Sequence, residues 1–246
     1  MNESYNKTVL ITGASRGIGA ATARIFAKNK YNVIINCLNN IEKANQLAQE
    51  LEREYGIKTL VLPFDISNEE DVKNNIELAY QEFNNIDVLV NNAGIAIDST
   101  IEDKKVENIK RTLDVNLIGP FLMCKYIGKR MYDNKKGSII NVSSTNSIDS
   151  FYPYSIDYDA SKAGVNILTH DFAIHFAPYV KVNTIAPGWV NTEMNKELDA
   201  DYIKEECKHI LLERFAEPEE IAEEIYHIAN SSYLNDSIIK VDGGRC

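Results

Sequence analysis

The chain has 246 residues, 44% of them hydrophobic and 25% charged, which describes a globular protein rather than a disordered or fibrous one. A formal net charge of −10 and a pI near 5.0 argue against binding a phosphate backbone, and so against a nucleic-acid partner. No apolar run approaches the ~18 residues that span a bilayer, and the polar start Met1–Lys7 does not read as a signal peptide, so no membrane partner is expected. Cys37, Cys124, Cys207 and Cys246 have no paired spacing, and His170, His175, His209 and His227 form no HxxxH pair. Neither a metal site nor a disulfide framework is expected, and a reduced, cytoplasmic protein fits best.

Residues 7–12 form a short apolar, β-rich run, followed by Gly13, Gly17 and Gly19 and a helical pattern from Ala20 to Lys30. Tyr31–Cys37 reads as a second strand, 41–55 as a charged amphipathic helix and Ile57–Pro63 as a third strand. Asn68 is a candidate cap for the next helix, with Glu69, Glu70 and Asp71 complementing its dipole. Asp87–Asn91 is a fourth strand, and a long helical region from about 102 to 132 is expected to break near Gly119-Pro120. Strand five spans 138–143, a helix runs from 155–160 to about 177, and strand six is 180–186. A helical insertion at 189–213, a helix at 218–230 and a last strand at Ile238–Val241 complete the chain. Strands alternating with helices predict a doubly wound α/β fold of the Rossmann type. It should hold about seven parallel strands with helices on both faces, and no linker or repeat divides residues 1–246, which read as a single domain.

Several stretches carry chemistry. Thr12-Gly13-Ala-Ser-Arg16-Gly17-Ile-Gly19 sits between a strand and a helix, where glycines let a backbone approach a diphosphate at the helix N-terminus. Its spacing is G-x-x-x-G-x-G rather than GxGxxG, and an ordinary glycine-rich turn is the plain alternative. Asn91-Asn92-Ala93-Gly94 ends the fourth strand, where open α/β sheets bind ligands. Two Tyr-x-x-x-Lys pairs occur, Tyr132/Lys136 and Tyr158/Lys162. Four residues is about one helical turn, so each phenol would share a face with its ammonium. Only the second follows a strand that ends in hydroxyls, Ser143-Ser144, and the first reads as a solvated decoy.

With Asn116 in an N-L-x-G context, Pro187-Gly188 and the ending Val241-Asp-Gly-Gly244, these motifs make the chain resemble the short-chain dehydrogenase/reductase family over essentially its whole length. The resemblance implies that Asn116, Ser144, Tyr158 and Lys162 are catalytic. Tyr158 would exchange a proton with the substrate oxygen, its pKa lowered from the ordinary phenol value near 10 by Lys162 and by the positive charge of oxidised nicotinamide. Lys162 would bond the nicotinamide ribose, Ser144 would hold the substrate carbonyl, and Asn116 would support a proton-relaying water. It further implies dinucleotide contacts from Gly13, Ser15, Arg16, Gly17, Ile18, Gly19, Asn36, Asp65, Ile66, Asn92, Ala93, Gly94, Pro187, Gly188 and Thr192. Tyr152 and Tyr154 are expected at the mouth of the site.

Strand two ends in Asn36-Cys37-Leu38-Asn39-Asn40, with no acid before Glu42 to bond a ribose diol, while Arg16 could reach a 2′-phosphate. NADP(H) is therefore the expected cofactor. Overall likeness is greatest to 3-oxoacyl-[acyl-carrier-protein] reductases of fatty acid synthesis. The implied partner is then a small-molecule or carrier-protein-bound carbonyl. Lys129, Arg130, Lys135 and Lys136 form a basic cluster that could meet an acidic carrier, but Ala177-Pro178-Tyr179 stands where such enzymes often have a second basic residue. A reductase of free ketones, aldehydes or sugars shares the same groups, and a non-catalytic dinucleotide-binding regulator is the remote alternative. Thirteen residues separate Ser144 from Tyr158, one more than is usual in the family. Residues 189–213 are expected to form a lid, and the long helices at 102–132 and 155–177 to pair in a homotetramer.

Overall fold

The computed structural model describes residues 6–196 and 198–245; most of the polar N-terminal stretch, Glu197 and Cys246 lie outside the described residues. Seven parallel strands form one sheet in the order β3-β2-β1-β4-β5-β6-β7. They are β1 (Thr8–Ile11), β2 (Asn32–Cys37), β3 (Thr59–Pro63), β4 (Val88–Asn91), β5 (Gly137–Val142), β6 (Val180–Pro187) and β7 (Ile238–Val241). Successive side chains point to opposite faces. Val9, Ile11, Val33 and Ile35 therefore meet α1 (Gly17–Lys28), α2 (Ile41–Tyr55) and α7 (Pro218–Asn230) on one side. Leu10, Ile34, Leu89 and Ile139 meet α3 (Glu69–Glu82), α4 (106–133) and α5 (Ile156–Phe176) on the other. Burial on both faces of the interior strands explains why they read as continuous apolar runs rather than as alternating ones. The predicted doubly wound architecture is the observed one.

Helix boundaries follow local chemistry. The Asn68 side chain accepts from the Glu70 and Asp71 amides at 3.0 and 3.2 Å, as its capping position predicted. Gly56 closes α2 in the left-handed conformation (φ +64°). The expected break at Gly119-Pro120 does not occur. Helix α4 continues through these residues, and its irregularities are two π turns flanking them, Asp114–Ile118 and Cys124–Gly128. Pro120 is tolerated because the first π turn shifts the ladder by one residue. Having no N–H to place, it follows directly on the last bond of that π turn, from the Gly119 amide to the Asp114 carbonyl. The predicted insertion contributes α6 (Ala200–Lys208), whose Asp199 side chain caps the Asp201 and Tyr202 amides. Among the described residues no helix is long and apolar enough to cross a membrane, and no group of His, Cys, Asp and Glu could hold a metal ion.

Candidate active site

Strand order reverses between β1 and β4, and in such sheets the crevice opens beyond the carboxyl ends of the strands at that point. A cleft of about 460 Å³ lies there. Every expected catalytic and cofactor residue lines it except Gly19 and Asn116, and of the two tyrosines expected at its mouth Tyr152 lines it and Tyr154 does not.

The glycine turn is built for close approach. Gly13 has φ +63°, and a Cβ there would stand 2.9 Å from the Ala93 backbone. A Cβ on Gly19 would meet the Asn92 side-chain nitrogen and the Gly13 carbonyl, both at 2.6 Å. Thr12 ties the two turns together: its hydroxyl accepts from the Asn92 and Ala93 amides, each at 3.0 Å. Asn92 returns a bond to the Thr12 carbonyl at 2.9 Å. Asn36, expected at the ribose, is 2% exposed; its Oδ1 accepts from the Gly13 amide and its Nδ2 donates to the Leu62 and Phe64 carbonyls. It therefore holds the glycine turn, and Leu38, Asn39 and Asn40 face the cleft beside it. Arg16 is exposed there with no ion pair recorded among the described residues. Toward the other end, Thr192 packs on Gly17, and Gly188 lies so close to Asp242 that a Cβ would come within 2.8 Å of that side chain. The Val-Asp-Gly-Gly ending thus backs the Pro-Gly turn, with the Gly188 amide bonded to the Val241 carbonyl at 3.0 Å.

The catalytic candidates converge at the base of this cleft. Ser143 turns inward, donating to the Lys162 main-chain carbonyl at 3.0 Å. Both serines line the cleft, but only the Ser144 hydroxyl acts on the Tyr158 phenol, holding its pKa down, which distinguishes the two. One helical turn on from Tyr158, the Lys162 ammonium is 5.6 Å from the phenol ring centroid and donates to the Val142 carbonyl at 2.7 Å. A Cβ on Gly94 would lie 3.3 Å from that ammonium and 3.4 Å from the Asn116 amide oxygen, so Gly94 stands beside both groups. Asn116 is fully buried in the first π turn, accepting from the Ile95 amide at 2.8 Å and donating to the Ile95 carbonyl and the Ser161 hydroxyl.

Electrostatics departs from expectation. Burial pushes the Tyr158 phenol up to about 12, against the Ser144 hydrogen bond and with Asp159 and Asp98 acting in the same direction as burial. Burial also drives Lys162 down to about 8. The protein's own groups therefore do not lower the phenol, because desolvation dominates among them; the charge of oxidised nicotinamide, the other expected cause, would come with the cofactor.

The decoy pair lies elsewhere: Tyr132 packs on Phe176 and Tyr179, and Lys136 pairs with Asp87 at 2.7 Å. The basic cluster is largely neutralised, since Lys129 pairs with Asp133, Arg130 with Glu77 and Lys136 with Asp87, while Lys135 lies over the Tyr179 ring. These residues precede β5, whereas Ser144 follows it, about 20 Å away at the opposite end of the strand. Tyr152 lines the mouth with its ring against Trp189, and Tyr154 packs edge-on behind it. Sequence reasoning did not single out Asp98, Arg111 or Arg245, which also line the cleft. Arg111 joins Asp65 and Ser67, each at 2.9 Å, and Arg245 joins Glu206, which also accepts from the Trp189 indole. None lies in a recognisable motif, so spacing offers no signal for them.

Comparison with known proteins accords with this geometry. Residues 7–225 match the short chain dehydrogenase family. The chain is 37% identical to 3beta-hydroxysteroid dehydrogenase 1 of Eggerthella lenta, covering 97% of this chain and 93% of that protein. It is 36% identical to a 3-oxoacyl-[acyl-carrier-protein] reductase of Thermotoga maritima, covering 97% of each. A gluconate 5-dehydrogenase from Burkholderia cenocepacia, solved in complex with NADP and tartrate, superposes with a TM-score of 0.91 at 31% identity over 98% of this chain and 95% of that one. With the family matched over residues 7–225 and relatives 36–37% identical over 97% of its length, the chain belongs to the short-chain dehydrogenase family.

Proposed function

We propose that the chain interconverts a carbonyl and a secondary alcohol with NADP(H), and that Asn116, Ser144, Tyr158 and Lys162 carry the chemistry. The observation behind this reading is the contact of the Tyr158 phenol with Ser144 at the base of the cleft, one helical turn from a buried ammonium. The cleft fits the cofactor: its glycine turns leave space that a Cβ would fill, and Arg16 offers an unpaired cation for a 2′-phosphate. The gluconate dehydrogenase neighbour binds NADP, which supports the same preference here. When bound, NADPH supplies a hydride to the carbonyl carbon.

The protein's part is to hold the carbonyl oxygen between the Ser144 and Tyr158 hydroxyls, stabilise the charge that gathers on it, and give it the Tyr158 proton. Lys162 orients the nicotinamide ribose. Asn116 supports a water that re-protonates the relay. Residues 189–213 act as a lid over the substrate.

The finer reading is reduction of a 3-oxoacyl thioester, supported by the 36% identity to a 3-oxoacyl-[acyl-carrier-protein] reductase. A second reading, a free ketone, aldehyde or sugar, is favoured by the internal pairing of the basic cluster, which leaves little charge to grip an acidic carrier. Exposed Ile118 and Phe121 on α4 and Ile167 and Ile174 on α5 support assembly as a homotetramer, testable by sedimentation of the purified chain. The decisive experiment compares NADPH oxidation with acetoacetyl thioesters, free ketones and sugars, using Tyr158→Phe as control. That variant should bind NADPH with turnover reduced by about 10²–10⁴. Undiminished turnover would sink the assignment.

A further inference from the structure

Lys104, in the loop before α4, carries a buried ammonium that reaches three segments at once. It meets the Asp157 carboxylate at 2.9 Å, with both side chains about 5% exposed. It also donates to the Ile97 carbonyl at 2.6 Å and the Tyr154 carbonyl at 3.2 Å. The two carbonyl contacts are hydrogen bonds and the carboxylate contact is an ion pair. Ile97 belongs to the loop that follows the Asn-Asn-Ala-Gly turn, Tyr154 to the long segment between Ser144 and α5, and Asp157 to the first turn of α5, immediately before Tyr158. The Ser99 amide adds a second bond to the Tyr154 carbonyl at 3.0 Å.

On the other side of Tyr158, Asp159 accepts from the Asn146 side chain at 2.7 Å and the Tyr152 amide at 3.3 Å. The catalytic tyrosine is thus bracketed by two acids, one anchored to the cleft wall and one to the substrate segment. Lys104 itself does not line the cleft; its partners flank residues that do.

We propose that Lys104 is a positioning residue, whose bonds to Asp157, Tyr154 and Ile97 fix the height of Tyr158 and the reach of residues 145–155 over the substrate. The long segment between Ser144 and Tyr158 has no helix or strand of its own beyond one short turn, so it needs such a tie to hold one conformation. Burying an ion pair adds little to stability compared with apolar packing, yet removing one partner strands the other. The consequence falls on the geometry of the site, where displacement of reacting groups by about 1 Å costs on the order of 10²-fold in rate.

The inference rests on the proposed carbonyl chemistry only for its kinetic arm. Lys104→Met keeps the length of the side chain and removes the charge. With acetoacetyl-coenzyme A and cyclohexanone as probes, well below the unfolding temperature, it should raise KM for the carbonyl and lower kcat, for a combined loss of about 10- to 100-fold. The NADPH Kd from fluorescence titration should stay within about twofold, because the glycine turn and Arg16 are untouched. Hydrogen exchange of peptides covering 145–158 should accelerate about tenfold or more, with β1 and α1 unchanged.

The isosteric Asp157→Asn should give the same pattern, and the double variant should lose no more than either single one. If Lys104→Met fails to fold, Asp157→Asn carries the test by itself. Unchanged exchange at 145–158, a lowered unfolding temperature with normal kinetics, or additive losses would overturn the proposal. Faster exchange at 145–158 in a protein whose wild type reduces neither probe would retain the positioning role and count against the carbonyl reading instead.

Discussion

Replacing Lys162 with Met should stabilise the folded chain at neutral pH while disabling it. The folded protein releases the Lys162 proton at about 8, against an ordinary value of 10.5, because burial disfavours the charged form. At about 1.4 kcal/mol per pH unit, holding that charge at pH 7 costs the fold about 3 kcal/mol. Methionine removes this cost but leaves the Val142 carbonyl, now bonded by the ammonium at 2.7 Å, without its donor, a loss of about 1–2 kcal/mol. A net gain of about 1–2 kcal/mol follows. Between about 8 and 10.5 the unfolded chain binds the proton and the folded chain does not, so wild-type stability attributable to Lys162 rises with pH through that window. The burial cost falls to about 1 kcal/mol by pH 10, and the advantage of methionine should vanish there. Urea unfolding of both proteins at pH 7 and pH 10, read as a difference so that other titrating groups cancel, measures the effect. A variant less stable than wild type at pH 7, or an advantage independent of pH, would refute the reasoning.

Arg16→Ala should lower kcat/KM for NADPH by about tenfold, the low end for a charge-assisted bond at an exposed site, and leave NADH nearly unaffected. An equal change with both cofactors would remove Arg16 from the 2′-phosphate site. Ser144→Ala should cost about 10²–10³ in kcat, as expected for a donor to the developing oxyanion. Ser143→Ala removes an inward bond to the Lys162 carbonyl; it should cost about 1 kcal/mol of stability and leave kcat within about threefold. Reversal of the two serine phenotypes would exchange their roles.

Much of the fold was legible because its signals are local. Strands buried on both faces appear as apolar runs, and the positive φ of Gly13 and Gly17 requires the glycines that mark the first turn. Gly119-Pro120 misled for the same reason. Proline reads as a helix breaker, and nothing local reports the π turn that absorbs it. Asn36 at a strand end reads alike whether it faces a ligand or the interior; only the structure reveals its three inward bonds. The Lys104–Asp157 pair joins positions 53 apart, one of them in a loop, and no periodicity connects them.

The pKa of Tyr158 shows the limit most clearly, and it bears on direction. A lysine four residues along is visible in the sequence, whereas the depth of the phenol is not, and depth prevails. A phenol pushed up to about 12 is almost fully protonated at neutral pH, which is the form that donates to a carbonyl oxygen. Alcohol oxidation needs the phenolate instead, which the burial of Tyr158 and the nearby Asp98 and Asp159 carboxylates disfavour. Lys162, held near 8, is still mostly charged at pH 7 and loses that charge as the medium becomes alkaline. The protein's own groups therefore leave a charged lysine beside a protonated tyrosine at neutral pH.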